Sequence, residues 1–180
     1  MSTARTLPPR SALFLPASNP RAIAKARTLA CDLVLLDLED AVAQDAKEAA
    51  RAAAVEAADE GFGARLLAIR VNAGDSPHHA ADVAAIAASA ADFVVLPKVE
   101  DAAAASAVAR AVGKPLLAMI ETPAGVLAAP AIARAEGVAG LIAGTNDLTA
   151  SLRLPPGGAR AGLALALQTI VLAARAAGIW

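Results

Sequence analysis

Leu116-Leu117-Ala118-Met119-Ile120-Glu121-Thr122 and, further along, Leu141-Ile142-Ala143-Gly144-Thr145-Asn146-Asp147 share one design. Each is a short apolar run that reads as a buried strand, and each delivers an acid just past its end. A helix can follow in both cases. A carboxylate so placed is costly to bury unless something cationic meets it. Two of them at the ends of consecutive parallel strands would form a hard-oxygen site suited to Mg²⁺. The plainer alternative is that Glu121 and Asp147 cap helices or sit at the surface.

The same unit recurs outward from this pair. Ala12–Leu15 is a first apolar run, and Ser18, Asn19 and Pro20 predict a capped helix reaching about Leu29. Leu33–Leu36 is a second strand, ending in the acidic cluster Asp37-Leu38-Glu39-Asp40. An alanine-rich helix follows, with Lys47, Glu48, Arg51 and Glu56 expected on its wet side, and closes near Gly61 and Gly63. Leu66–Val71 is a third strand, with Arg70 and Asn72 at its far end, and Ser76-Pro77 starts another helix. Phe93–Leu96 carries Pro97-Lys98, and Asp101 opens a helix that stops by Gly113. The strand before Glu121 leads into a helix reaching about Ala135. Pro155-Pro156-Gly157-Gly158 is expected to form a loop before a last helix that ends at Gly178.

Apolar strands separated by helices indicate a parallel sheet covered on both faces. The first strand is followed by neither GxGxxG nor GxxxxGK, which removes the main signal for a nucleotide-binding open sheet. Polar residues at nearly every strand end point instead to a (β/α)₈ barrel, whose site lies on that face. Only about six βα units are present. Gly178-Ile179-Trp180 reads as the entry to a seventh strand, so a fragment, a gap filled by a partner chain and an open fold all remain. The domain reading is a flexible tail over residues 1–9 and one incomplete barrel over 10–180.

Composition narrows the function. The 180 residues are 57% hydrophobic with a net charge of −1, so a folded domain is expected and a basic nucleic-acid footprint is absent. Aromatic residues are 2% of the chain and tyrosine is missing, which leaves almost nothing for base stacking. The single Cys31 is read as a small core residue in a reducing compartment. No signal peptide is read in Met1–Arg10, and Gly162–Trp180 reads as an amphipathic packing helix. A cytoplasmic protein without a membrane or nucleic-acid partner is expected.

The strand ends together supply Arg10, Asp37/Glu39/Asp40, Arg70/Asn72, Lys98, Glu121 and Asp147. Such a set suits an anionic substrate held by a divalent cation, because an arginine offers a two-pronged bond to a carboxylate. Bland readings stand beside these. Asp40 is expected to cap the following helix, and Asp37 and Glu39 to form either an ion pair with Arg70 or Lys98 or part of a substrate site. Lys98 could equally be a solvated loop lysine. His78 and His79 are read as surface residues with no zinc site, and Ser11, Ser18 and Thr145 lack a histidine for a nucleophile triad. Thr145-Asn146 should shape the turn that presents Asp147.

Six segments in order carry a resemblance: Arg10–Ala17, Leu35–Val42, Arg70–Asn72, Leu96–Lys98, Ile120–Thr122 and Gly144–Leu148. Together they resemble the HpcH/HpaI aldolase/citrate lyase family, particularly its citrate lyase β-subunit-like and malyl-CoA lyase-like members. The resemblance implies a Mg²⁺-dependent barrel that cleaves or forms a carbon–carbon bond in a short acyl-CoA thioester of citryl-CoA or malyl-CoA type. The products would be acetyl-CoA and oxaloacetate or glyoxylate. Glu121 and Asp147 would hold Mg²⁺, Arg70 and Glu121 would meet substrate, and Arg10 would lie near the substrate or its CoA portion. Asp37, Glu39 and Lys98, with Arg70, would form the catalytic polar network. A homo-oligomer is implied as well. Family members continue for another third of a chain, and Gly144-Thr-Asn-Asp-Leu-Thr149 is also similar to the metal-binding turn of phosphoenolpyruvate-using enzymes. A metal-dependent 2-oxo acid aldolase without CoA and a truncated, non-catalytic barrel are therefore the alternatives.

Overall fold

The structure, a computed structural model, describes residues 8–155 and 160–180. Most of the expected tail, and all of the expected Pro155–Gly158 loop beyond Pro155, lie outside the described residues. Strands and helices alternate as β1 (Ala12–Pro16), α1 (Pro20–Ala26), β2 (Leu33–Asp37), α2 (Lys47–Glu60), β3 (Leu66–Arg70), α3 (His79–Ala88) and β4 (Phe93–Leu96). They continue as α4 (Ala102–Val112), β5 (Leu116–Ile120), α5 (Pro123–Ile132), β6 (Val138–Ala143), α6 (Thr145–Ser151) and α7 (Ala164–Ala177). Short 3₁₀ turns, Gln44–Ala46 and Arg160–Leu163, precede α2 and α7.

Local chemistry sets most boundaries. The Asn19 side chain accepts the Ala22 N–H and Pro20 opens α1, as the sequence predicts, but the helix stops at Ala26, short of Leu29. Asp101 Oδ2 accepts the Ala104 N–H at 2.9 Å to cap α4. That helix closes at Gly113, whose φ of +68° favours a residue without a Cβ. Thr122 caps α5 through the Gly125 N–H, ahead of Pro123. α5 stops at Ile132, and only turns continue toward Ala135.

The helix after β2 differs from expectation. Residues 41–46 form a turn and a 3₁₀ segment, so α2 begins at Lys47 and no side chain caps it. Asp40 is therefore not a helix cap. α3 likewise begins at His79 rather than Ser76, because the backbone turns through Ser76 first, with the His79 N–H on the Ser76 carbonyl.

All six strands are parallel in the order β1-β2-β3-β4-β5-β6. Successive side chains divide between two layers. Leu33, Leu35, Val95, Leu117 and Met119 form an inner layer, while Val34, Leu36, Val94 and Ile120 pack outward under the helices. Each fully buried Leu or Ile removes apolar surface worth about 2–3 kcal/mol. The sheet is of barrel type but does not close. Phe14, whose register partner on β2 is the inward Leu35, is left 46% exposed on β1.

Trp180 lies along the other edge: its N–H donates to the Ala139 carbonyl and its carbonyl accepts the Leu141 N–H. Its ring packs 5.2 Å from that of Phe93 in the inner layer. The segment Gly178-Ile179-Trp180, read as the entry to a seventh strand, is not itself a strand, but its last residue bonds to the free edge of β6. By length and composition Arg160–Ala177 would pass for a membrane span, yet here it packs on α5 and β6 through Ala166, Ile170, Ala173 and Ala174.

Candidate active site at the strand ends

Sheet register assembles the first half of the site. Asp37 ends β2 directly opposite Arg70 at the end of β3. Arg70 Nε donates to Asp37 Oδ1 at 2.7 Å and Nη2 to Oδ2 at 2.6 Å, a two-pronged pair with both side chains buried. Burial alone would raise the Asp37 carboxyl, but the Arg70 hydrogen bonds and charge outweigh it and hold it below its usual range. Desolvation likewise pulls Arg70 down, and Asp37 more than restores it. The outer nitrogen, Nη1, lies 2.9 Å from Glu39 Oε2, 3.6 Å from Asp40 Oδ2 and 3.7 Å from Met119 Sδ.

Glu39 is divided between two cations. Its Oε1 accepts from Lys98 Nζ at 3.0 Å, while Oε2 faces Arg70 without an aligned hydrogen bond. Burial wins for this acid and raises its pKa despite Lys98 and Arg70. Lys98 is raised mainly by its hydrogen bond to Glu39, and its ammonium also stands 4.0 Å from Asp40. It is therefore paired within the cluster, although its side chain stays 41% exposed to solvent. Its backbone carries φ +51°, a left-handed conformation unusual for a side chain with a Cβ, of a kind that gathers at functional sites.

That backbone geometry reaches the second half of the site. The Lys98 N–H donates to Glu121 Oε1 at 2.7 Å. Glu121 is 3% exposed, and desolvation pushes its carboxyl up to about 7, with Glu39 and Asp147 adding to the effect. Across the β5–β6 pair, Ile120 lies opposite Ala143, which brings Gly144 against Glu121. A Cβ on Gly144 would stand 2.4 Å from Glu121 Cβ and 2.5 Å from its Oε2. Only glycine fits there. Asp147 follows in the first turn of α6, half-buried, and the helix starting at Thr145 presents it as the sequence predicts.

Arg70, Glu121, Gly144 and Asp147 line one cavity of about 570 Å³, with Asp37 and Phe14 on its other walls. Among the described residues no group of three or more His, Cys, Asp or Glu side chains could cage a metal. A pair of carboxylates, one of them desolvated, raised and with one oxygen on the Lys98 amide, still fits Mg²⁺. That ion keeps several waters and takes one or two protein carboxylates.

Other expected residues fall elsewhere. Arg10 precedes β1 and bonds Asp32, just before β2, through its backbone N–H, Nε and Nη2. Both stand at the opposite end of the strands, beside a cleft that also contains Cys31 and Arg65. Arg10 is thus removed from the site: a residue preceding a parallel strand lies at the face away from its C-terminal end. Asn72 turns toward α3, where the fully buried Asp82 accepts from its backbone and side chain at 2.9 and 2.6 Å. Arg51 pairs with the same Asp82 at 2.6 Å, so it is not a wet-side residue. His79 is half-buried, with Nδ1 2.8 Å from the Asn72 carbonyl, and is more than a surface histidine. Cys31 is a partly buried free thiol against the core, as read.

An open parallel sheet of (β/α)₈-barrel type, with its charged centre at the carboxyl ends of the strands, defines a β/α-barrel protein with its site on the face where such barrels carry theirs. The chain belongs to the HpcH/HpaI aldolase/citrate lyase family, whose model matches residues 10–180. It is 43% identical over 178 residues to a (3S)-malyl-CoA thioesterase of Cereibacter sphaeroides, covering 96% of this chain and 61% of that protein. A citrate lyase subunit beta-like protein of Mycobacterium tuberculosis is 38% identical over 171 residues, covering 92% and 60%. Among solved structures, the citrate lyase beta subunit of M. tuberculosis complexed with oxaloacetate and magnesium is similar at TM-score 0.81 and 36% identity, covering 93% of this chain and 74% of that one. Protein CitE of the same organism, with magnesium, acetoacetate and coenzyme A, gives TM-score 0.80 at 36% identity, covering 93% and 62%. The chain therefore spans about three fifths of the length of the curated relatives it matches.

Proposed function

We propose that this chain carries the metal and oxo-acid half of a carbon–carbon lyase acting on a short acyl-CoA thioester of malyl-CoA or citryl-CoA type. The observation that carries the reading is the pairing of a desolvated Glu121, with Asp147 on the same cavity, against an Arg70 locked in place by Asp37. The magnesium and oxaloacetate in the M. tuberculosis relative support it.

Glu121 and Asp147 would hold Mg²⁺, whose contribution when bound is to polarise the oxo group and stabilise the enolate released by bond cleavage. Arg70 orients the substrate carboxylate from its Nη1 side, the part not engaged by Asp37. Lys98 brings a second positive charge to the mouth and, through its backbone N–H, sets which Glu121 oxygen faces the cavity. Glu39 holds Lys98 and Arg70 in register. The reaction breaks the bond between the carbinol carbon and the carbon next to the thioester, giving acetyl-CoA and glyoxylate or oxaloacetate. This half-site acts within an oligomer, as a cytoplasmic enzyme, in our reading.

Hydrolysis is the second reading, favoured by the thioesterase among the relatives. Incubating the protein with malyl-CoA and Mg²⁺ and separating the products tests both. Acetyl-CoA with glyoxylate supports the lyase, whereas free CoA with malate supports the thioesterase. Turnover of an oxo-acid aldol lacking CoA would favour the aldolase alternative. Neither product, together with no Mg²⁺ binding, would leave the non-catalytic barrel.

A further inference from the structure

Lys47 opens α2 and is 3% exposed, although its place in an alanine-rich helix reads as solvated. An ammonium there is doubly disfavoured: it is desolvated, and it sits at the positive end of a helix dipole. What compensates is directional. Its Nζ donates to the Leu38 carbonyl at 2.7 Å and to the Glu39 carbonyl at 2.6 Å. The carboxylates of Asp37, Glu39, Asp82 and Asp40 all favour its charge, while burial lowers its pKa.

The segment it grips turns sharply. Asp37 Oδ1 accepts the Glu39 N–H at 2.8 Å and Oδ2 the Ala41 N–H at 3.1 Å, while the Glu39 carbonyl also receives the Val42 N–H. Asp37 therefore fixes the amides of this turn, and Lys47 fixes its carbonyls. Between the two anchors stands Glu39, whose carboxylate meets both Arg70 and Lys98.

We propose that Lys47 is a positioning residue whose ammonium locks the peptide units on either side of Glu39 and thereby aims the Glu39 carboxylate at Arg70 and Lys98. The loop geometry stands alone. The effect on ligand rests on the proposed roles of Arg70, as the carboxylate contact, and Lys98, as a second positive charge at the mouth. Glu121 takes its hydrogen bond from the Lys98 amide and none from this turn, so Lys47 should matter much less to the metal pair than to the Arg70 side of the site.

Lys47→Met tests this, since it keeps the stem and removes the donors; Lys47→Gln replaces it if the methionine variant does not fold. Amide exchange of Glu39 and Ala41 should quicken about tenfold or more, with β4 and β5 unchanged. Oxaloacetate affinity in Mg²⁺ should fall about tenfold or more, while Mg²⁺ affinity alone stays within about threefold. Lys47→Arg, which can span two carbonyls, should recover most of the loss. Unchanged exchange at Glu39 and Ala41 overturns the proposal. So does uniform acceleration across the sheet with both affinities falling together, the mark of a merely structural lysine. If the unsubstituted protein binds neither Mg²⁺ nor oxaloacetate, the functional reading fails, and the exchange data alone decide the role of Lys47 in the loop.

Discussion

Glu121→Gln should stabilise the metal-free protein at alkaline pH and not at acid pH. Burial raises the folded-state carboxyl from 4.5 to about 7, so the folded chain keeps a proton that the unfolded chain has already lost. The sign follows from linkage: the protonated acid's contribution is fully present below about 4.5 and disappears as pH rises through about 7. A carboxyl raised from 4.5 to about 7 corresponds to about 3 kcal/mol against the folded state at pH 8. Glutamine cannot ionise and retains the oxygen that accepts the Lys98 N–H. In EDTA, the melting temperature of the variant relative to the parent should be higher at pH 8 than at pH 5, by up to about 10 °C. Adding Mg²⁺ at pH 8 should reverse the order, raising the parent and leaving the variant unmoved. An equal stability difference at both pH values in EDTA would mean that Glu121 is not held protonated by burial.

Three further outcomes are expected. Asp37→Asn removes the partner of a buried guanidinium and should cost about 3–5 kcal/mol in denaturant unfolding, with a loss below about 1 kcal/mol contradicting the buried pair. Gly144→Ala forces a Cβ against Glu121 and should cost about 1–3 kcal/mol by overpacking, while abolishing the Mg²⁺-induced rise in melting temperature; retention of that rise would show that Glu121 does not bind from this pose. Arg10→Ala breaks an exposed pair with Asp32, whose carboxyl Arg10 holds down to about 2, and should leave the response to Mg²⁺ and oxaloacetate unaltered; a lost response would return Arg10 to the site.

Much of this architecture was legible because each strand is a bounded apolar run and several helices begin on a residue whose side chain caps them. Phe93–Leu96, the Asp101 cap and the Gly113 stop come out as read. Asp37 and Arg70 could be paired on the expectation that one acid of the cluster points inward, and the register of β2 and β3 realises it. What escaped the sequence is set by tertiary placement. Asp40 looked like a cap because an apolar run follows it, but the chain first spends residues 41–46 turning over Lys47. Nothing local distinguishes a lysine that folds back onto two carbonyls from one that points to solvent. Asp82 and His79 are hidden similarly, since their partner Asn72 arrives from β3. Arg10 was placed at the site by the motif it opens, whereas a residue ahead of a parallel strand sits at the far end of the sheet. Gly144 did leave a signal, standing immediately before Thr145-Asn146-Asp147, yet its need for glycine emerges only when β5 brings Glu121 alongside.

Whether Glu121 and Asp147 together hold a divalent cation can be read from Mn²⁺ titration followed by electron paramagnetic resonance. The free-ion signal should be lost by saturable binding at pH 8, Mg²⁺ should compete, and binding should disappear in both Glu121→Gln and Asp147→Asn. Binding that persists undiminished in either variant, or no binding by the parent protein at pH 8, would rule out a cation held by this pair.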